Sequence, residues 1–217
     1  MLDRREDQAS GLRRFMPRPG GPMLPLAGAG EYPEFVVGLA RAYADAGTSV
    51  TVVSDFDSVL AQLAEGRARH RLTALHSAAA GDALERLPVI AAGSALTLVA
   101  VDDRRLARGL AVPASEAVVV AGADTESLAT AYARIKALVG LGSIRDVVTL
   151  FGRGSGGAPA RHGHARLAST AARFLGVELA FGGAAPDAPV AGAWRRIAED
   201  LTDWAHDCAG RTAWRAH

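Results

Sequence analysis

Four apolar runs constrain this chain more than anything else in it: Ser49 to Ser54 (SVTVVS), Leu96 to Val101 (LTLVAV), Glu116 to Ala121 (EAVVVA) and Val147 to Phe151 (VVTLF). Each is rich in β-branched residues, which suit a pleated strand. Each is also close to continuously apolar, whereas a strand with one face in water alternates; runs of this kind must be covered on both faces. The segments between them have helical periodicity. Strands covered on both faces and separated by helices form a parallel sheet, so the expected fold class is α/β, a three-layer sandwich with a mostly parallel sheet. With 217 residues, 49% of them hydrophobic, the chain can build one full-sized core without a disulfide or structural metal.

The rest of the chain falls into place around those runs. A short apolar run, Met23 to Ala27, leads through Gly28-Ala29-Gly30 into a helix expected over Phe35 to Ala46 and closed by Gly47. Further helices are expected over Ser58 to Ala64, Asp82 to Leu87, Ala165 to Leu175 and Trp194 to Cys208, and further strands over Arg71 to His76 and Val177 to Phe181. Asp124 is a candidate cap for a helix whose apolar stripe is Leu128, Tyr132, Ile135 and Val139. Ahead of the body, residues 2–16 carry acids early and bases late, the order that suits a helix dipole. A helix this short, with Gly11 inside it, orders only against a partner. Prolines 17, 19 and 22 make residues 17–22 a linker, leaving residues 23–217 as the body.

Several function classes are excluded by counts. The 24 basic residues against 23 acidic give +1, no excess of the kind that holds a protein on phosphate backbones, so nucleic acid is not an expected partner. Cys208 is the only cysteine, which rules out an intrachain disulfide and fits a reducing, cytoplasmic setting. The longest apolar stretch, Val89 to Val101, is interrupted and well short of the roughly 20 residues of a membrane helix. In the terminal helix the stripe Trp194, Ile197, Leu201, Trp204 and Cys208 lies opposite Glu199, Asp200, Asp203 and Asp207. Acids on that face favour docking on the core or on a protein over attachment to a membrane surface.

Ligands of an open parallel sheet sit beyond the carboxyl ends of its strands. After the first strand a nucleotide hydrolase would carry G-x-x-x-x-G-K-[ST], whereas this chain reads Gly28-Ala29-Gly30-Glu31-Tyr32-Pro33-Glu34-Phe35. Pro33 removes an amide donor, Glu34 stands in the lysine's place, and Phe35 replaces the magnesium-binding hydroxyl. The only lysine is Lys136, so no shift of register restores the motif, and a plain strand-to-helix turn is expected. Asp55 and Asp57, and later Asp102 and Asp103, end two strands and could hold magnesium or activate water. Without a phosphate site they read instead as turn-formers. The stretch Arg153 to Gly157 lacks the spacing of a phosphate loop and reads as a mobile connection. His162 and His164 read as solvated, as does the basic cluster Arg67, Arg69, His70 and Arg71.

The N-terminal Asp7-Gln8-Ala9-Ser10-Gly11-Leu12-Arg13 matches in full the D-Q-A-x-x-L-R signature of the FlhG family (FleN, YlxH) of flagellar number regulators, within the MinD and ParA group of P-loop ATPases. Its place ahead of a linker and a sheet domain is also the family's. Ser54-Asp55-Phe56-Asp57 resembles the family's D-x-D after the second strand, and Asp102 falls where its Walker B aspartate would. Ala117 to Leu138 resembles a strand and helix of the family, and Phe174 to Leu179 with Gly183 to Asp187 its last strand and turn. The family's nucleotide loop is missing, and Thr149 to Arg153 lacks the asparagine that holds the base.

The resemblance therefore implies a MinD-like (SIMIBI) P-loop fold that has lost its ATPase: Gly28, Gly30, Glu34, Asp55, Asp57 and Asp102 are a vestigial nucleotide site, and neither ATP nor magnesium is expected as a cofactor. It implies that residues 1–16 bind an FlhF-like, signal-recognition-type GTPase and stimulate it. Gln8 would be supplied to the partner's phosphoryl-transfer site. Asp7 and Arg13 would make polar docking contacts, Ala9 would lie within the motif, and Leu12 and Phe15 would form the apolar anchor. Flagellar basal-body or regulatory proteins are further candidate partners, and the cell pole or inner face of the membrane a candidate location. Two alternatives stand beside this reading: an active ATPase with an unorthodox loop using Asp57 or Asp102, and a MinD-type positioning adaptor working through the terminal helix.

Overall fold

The structure, a computed structural model, describes residues 21–65, 71–76, 87–107, 114–186 and 192–215. The expected helix over 2–16, most of the linker, and Arg67, Arg69 and His70 lie outside the described residues.

The elements in chain order are β1 (Met23–Ala27), α1 (Pro33–Asp45), β2 (Val50–Ser54), α2 (Asp57–Ala64), β3 (Leu72–His76), α3 (Leu87–Ala92) and β4 (Leu96–Ala100), followed by α4 (Asp103–Ala107), β5 (Glu116–Ala121), α5 (Thr125–Gly140), β6 (Asp146–Phe151), α6 (Gly157–Leu175), β7 (Leu179–Ala184) and α7 (Ala193–Arg215). The seven strands form one sheet in the order β3-β2-β4-β1-β5-β6-β7, and every pairing is parallel. β1, β2 and β4 are buried along their whole length, as their nearly continuous apolar sequences require, and Thr51, Ser54 and Thr97 are buried with them. Alternate residues feed two cores. Val99, Val119 and Phe151 point with Leu106, Ile135 and Leu167 into one. Leu98, Val118 and Leu150 point with Phe35, Val59 and Leu201 into the other. Helices α3 to α6 thus cover one face of the sheet and α1, α2 and α7 the other, the expected three-layer sandwich.

The structure departs from the sequence reading at several elements. Helix α6 starts at Gly157, eight residues before the expected Ala165. Pro159 is no obstacle there, because amides in a first helical turn have no intrahelical acceptor to lose. The Arg153 to Gly157 connection is tied down: Ser155 is buried, and its Oγ accepts from the Ala123 amide (3.2 Å). α4 was not anticipated, and α3 begins where the expected helix ends, residues 82–86 being outside the described ones. β7 lies two residues later than expected and carries an irregularity opposite Thr149 and Leu150. On α5 the buried face is Leu128, Ala131, Arg134, Ile135 and Leu138, turned from the expected stripe so that Tyr132 and Val139 are only partly covered. The body also begins before Met23: the Gly21 amide donates to the Ala91 and Ser94 carbonyls (3.0 and 3.2 Å), and the Thr97 amide donates to the Pro22 carbonyl (2.9 Å).

Candidate functional site

The strand order turns at β1. The chain leaves β1 toward β2 on one side, and after β4 it crosses over β1 to β5, so the carboxyl ends of β1, β4 and β5 meet where a ligand of such a sheet would sit. The turn after β1 is short and closed. The amides of Glu31 and Tyr32 both donate to the Gly28 carbonyl (3.1 Å each), and Gly28 takes a positive φ of 85°. The Gly28 amide donates to Oδ1 of Asp103 at 2.9 Å. A carboxylate from the start of α4 thus accepts the hydrogen bond that an amide in this place would give to a phosphate oxygen.

Arg134 holds that carboxylate. Its Nε donates to the other oxygen, Asp103 Oδ2, at 2.6 Å, and its Nη2 pairs with Oε1 of Glu31. Nη1 faces the Val120 carbonyl at 3.5 Å. The Arg134 side chain is 8% exposed, Asp103 35% and Glu31 54%. Burial alone would lower the guanidinium's pKa; hydrogen bonds and charge from Glu31 and Asp103 overturn that and hold it above its ordinary value. A Cβ at Gly28 would stand 2.8 Å from the Val120 carbonyl oxygen and 3.1 Å from Arg134 Nη1. The position thus requires glycine both for its φ and for space.

Two aromatic rings crowd the turn. A Cβ at Gly30 would come 2.8 Å from the Phe56 ring, and one at Gly152 would overlap the Tyr32 ring. Tyr32 therefore lies across the end of β6, and Phe56 covers the turn from the β2 side.

The acids expected at this edge separate into different tasks. Asp55 Oδ2 accepts from the Asp102 amide (2.9 Å) and Oδ1 pairs with Arg105, clamping β2 to α4. Asp102 Oδ1 accepts from the Arg104 amide (2.9 Å), an Asx turn that starts α4. Asp57, 94% exposed, lies 3.4 Å from His76 Nε2. Glu34 sits in the first turn of α1. Of the six residues expected to form a vestigial site, only Gly28 joins the central cluster; Asp103, Glu31 and Arg134 complete it. Arg134 was detectable as the one base at helical spacing between Ala131 and Leu138, but its partners are far away in sequence.

Among the described residues no group of three or more histidine, cysteine, aspartate or glutamate side chains could hold a metal ion. His164 is not solvated, as expected from sequence, but half-buried. Thr149 Oγ1 gives its one proton to the Ala180 carbonyl (3.1 Å), so His164 Nδ1 donates to that oxygen at 2.8 Å. Burial lowers the histidine's pKa. Among the described residues no helix is long and apolar enough to cross a membrane. The residues of the N-terminal signature, Asp7, Gln8, Ala9, Leu12, Arg13 and Phe15, lie outside the described residues.

No protein-family model matches the chain, and no curated protein sequence matches it. Solved structures do. A plasmid partition protein from Borrelia burgdorferi superposes with a TM-score of 0.54 over 85% of this chain and 99% of that one, at 10% identity. The MinD cell division protein of Aquifex aeolicus gives 0.51 over 82% and 87%, at 15% identity. At such identities the likeness concerns the fold alone, which in this chain is seven parallel strands between two helical layers.

Proposed function

We propose that this chain is a non-hydrolysing, FlhG-like regulator of flagellar biogenesis. Its residues 1–16 engage and stimulate an FlhF-like GTPase, and its sheet domain is a scaffold without a nucleotide. Two solved proteins with the same fold are named for cell division and for plasmid partition, and a regulator of cellular organisation is in keeping with them. The signature Asp7 to Arg13 narrows that class to flagellar regulation and supplies the partner.

One observation carries the non-hydrolysing half of the reading: the Gly28 amide is already given to Asp103, with Arg134 behind it. A nucleotide phosphate would have to displace a carboxylate held by a buried guanidinium, in a turn that has no lysine to offer. Glu31 and Asp103 would repel the incoming charge.

The test is GTP hydrolysis by the FlhF-like protein of the same cell, with and without this chain, beside ATP hydrolysis by this chain alone. Stimulation that disappears with Gln8→Ala, together with no ATP turnover, is the expected result. ATP turnover without stimulation would overturn the proposal in favour of an active ATPase.

A further inference from the structure

The outer faces of α6 and α7 are opposite in charge. Over its 19 residues α6 has no acid, and Arg161, His162, Arg166 and Arg173 are all exposed. At the helical repeat these four fall within an arc of about 140°. Helix α7 carries Arg195 and Arg196 in its first turn and thereafter exposes Glu199, Asp200, Asp203 and Asp207, four acids within an arc of about 100°, with the exposed His206 at its margin. Within its own subunit none of these three arginines or four acids forms an ion pair with a described residue.

The fold keeps the two faces apart. Leu167 of α6 enters one core and Leu201 of α7 the other, so the helices lie on opposite sides of the sheet and their solvent faces look in opposite directions. One subunit cannot bring them together, but two can. We infer that the acidic face of α7 in one copy of this chain docks on the basic face of α6 in a second copy. Contact of α6 with α6, or of α7 with α7, would oppose like charges, which argues against a two-fold dimer through either helix. In the α6 to α7 contact each copy keeps one face unused at either end. Such a head-to-tail contact repeats, and with its two halves on opposite sides of the sheet it builds a stack of subunits. The balance of 24 basic and 23 acidic residues fits the same picture: the basic face has its complement on the molecule itself. The inference is independent of the GTPase reading.

Sedimentation velocity on the full chain tests it. At low salt the average mass should rise with concentration past that of a dimer, and the association constant should fall by more than about tenfold between ~0.05 and ~0.5 M salt. Arg161→Glu, Arg166→Glu and Arg173→Glu together should leave a monomer. So should Glu199→Arg, Asp200→Arg, Asp203→Arg and Asp207→Arg together. Mixing the two reversed proteins in equal amounts should restore association, because each then offers the other an opposite face, and restoration also shows that both are folded. The milder set Arg161→Gln, Arg166→Gln and Arg173→Gln should weaken association with unchanged far-ultraviolet circular dichroism. A wild-type chain that stays monomeric at low salt, association that survives either reversal, or a mixture that stays monomeric while both partners are folded would overturn the inference.

Discussion

Arg134 shows how one buried charge can set the character of a site. Its guanidinium is almost fully covered and paired with carboxylates from two other segments; Arg134→Ala removes the cation and leaves Glu31 and Asp103 facing each other. Breaking a fully buried pair costs about 3–5 kcal/mol; because both acids here keep some water, the expected loss is about 2–3 kcal/mol in urea unfolding. Asp103→Asn should cost less than Asp103→Ala, since an amide oxygen still accepts from the Gly28 amide whereas alanine orphans it. Equal costs for the two would mean that this hydrogen bond is not what holds the turn. None of this could be read from sequence order, because Arg134 is 103 residues from Glu31 and 31 from Asp103. The missing lysine and a plain strand-to-helix turn were legible; the carboxylate and guanidinium that close the turn were not. A second residue-level prediction concerns His164, whose folded pKa lies below its unfolded value of about 6.5. The folded state therefore favours the neutral ring. Stability from this group is intact above that pH and is lost as pH falls through the unfolded value toward the folded one, where the unfolded chain binds the proton more readily. The stability gap between the wild type and His164→Asn, measured by urea unfolding at a series of pH values, should narrow as pH falls from 7.5 to 5. A constant gap would show that the histidine is not titrating in this range.

At the scale of elements, legibility followed length and apolar continuity. The runs at β2, β4, β5 and β6 announce buried strands because a half-exposed strand alternates between apolar and polar residues, and these runs do not. The five residues of α4 span little more than one turn and show no period, and their start depends on the Asp102 side chain bonding the Arg104 amide. The first half of α6 was hidden by Gly157, Pro159 and Gly163, residues that suggest a loop. Gly163 is in a helix because Phe151 leaves it no room: a Cβ there would stand 2.9 Å from the ring. The terminal helix is amphipathic as its spacing predicts, and its apolar stripe packs on the body. Trp194 meets Phe35 edge to face at 5.2 Å, and the Tyr43 hydroxyl donates to the Ala198 carbonyl at 3.0 Å. Gly38 makes this docking possible, since any Cβ on it would overlap the Trp194 ring. Gly38→Ala should cost about 1–3 kcal/mol, the usual range for overpacking, despite alanine's better helix propensity. Tryptophan emission should shift to the red as Trp194 is pushed toward water. An unchanged spectrum and unchanged stability would mean that α7 does not seat on α1 through this pair.

For the whole molecule, the proposed division of labour between a short N-terminal segment and a large body predicts two properties that separate cleanly. The described residues of the cores run from Met23 to Cys208, and the first described residue, Gly21, is already bonded to the carbonyls of Ala91 and Ser94. Residues 1–20 contain every residue of the Asp7 to Arg13 signature. A chain of residues 21–217 should therefore unfold in urea within about 0.5 kcal/mol of the full chain, the range of changes that touch no core, cap or buried charge. It should also lose all stimulation of the FlhF-like GTPase, and a peptide of residues 1–16 should keep part of it. The peptide carries the docking and reactive groups but must order itself on binding, which weakens its affinity and raises the concentration at which it acts. If the shortened body still stimulates, the contact lies on the sheet domain and Gln8 is not the residue supplied. If the peptide is inactive while the full chain works, the scaffold takes part in the contact. In that event Arg134→Ala, which loosens the turn without touching the signature, should lower stimulation as well as stability.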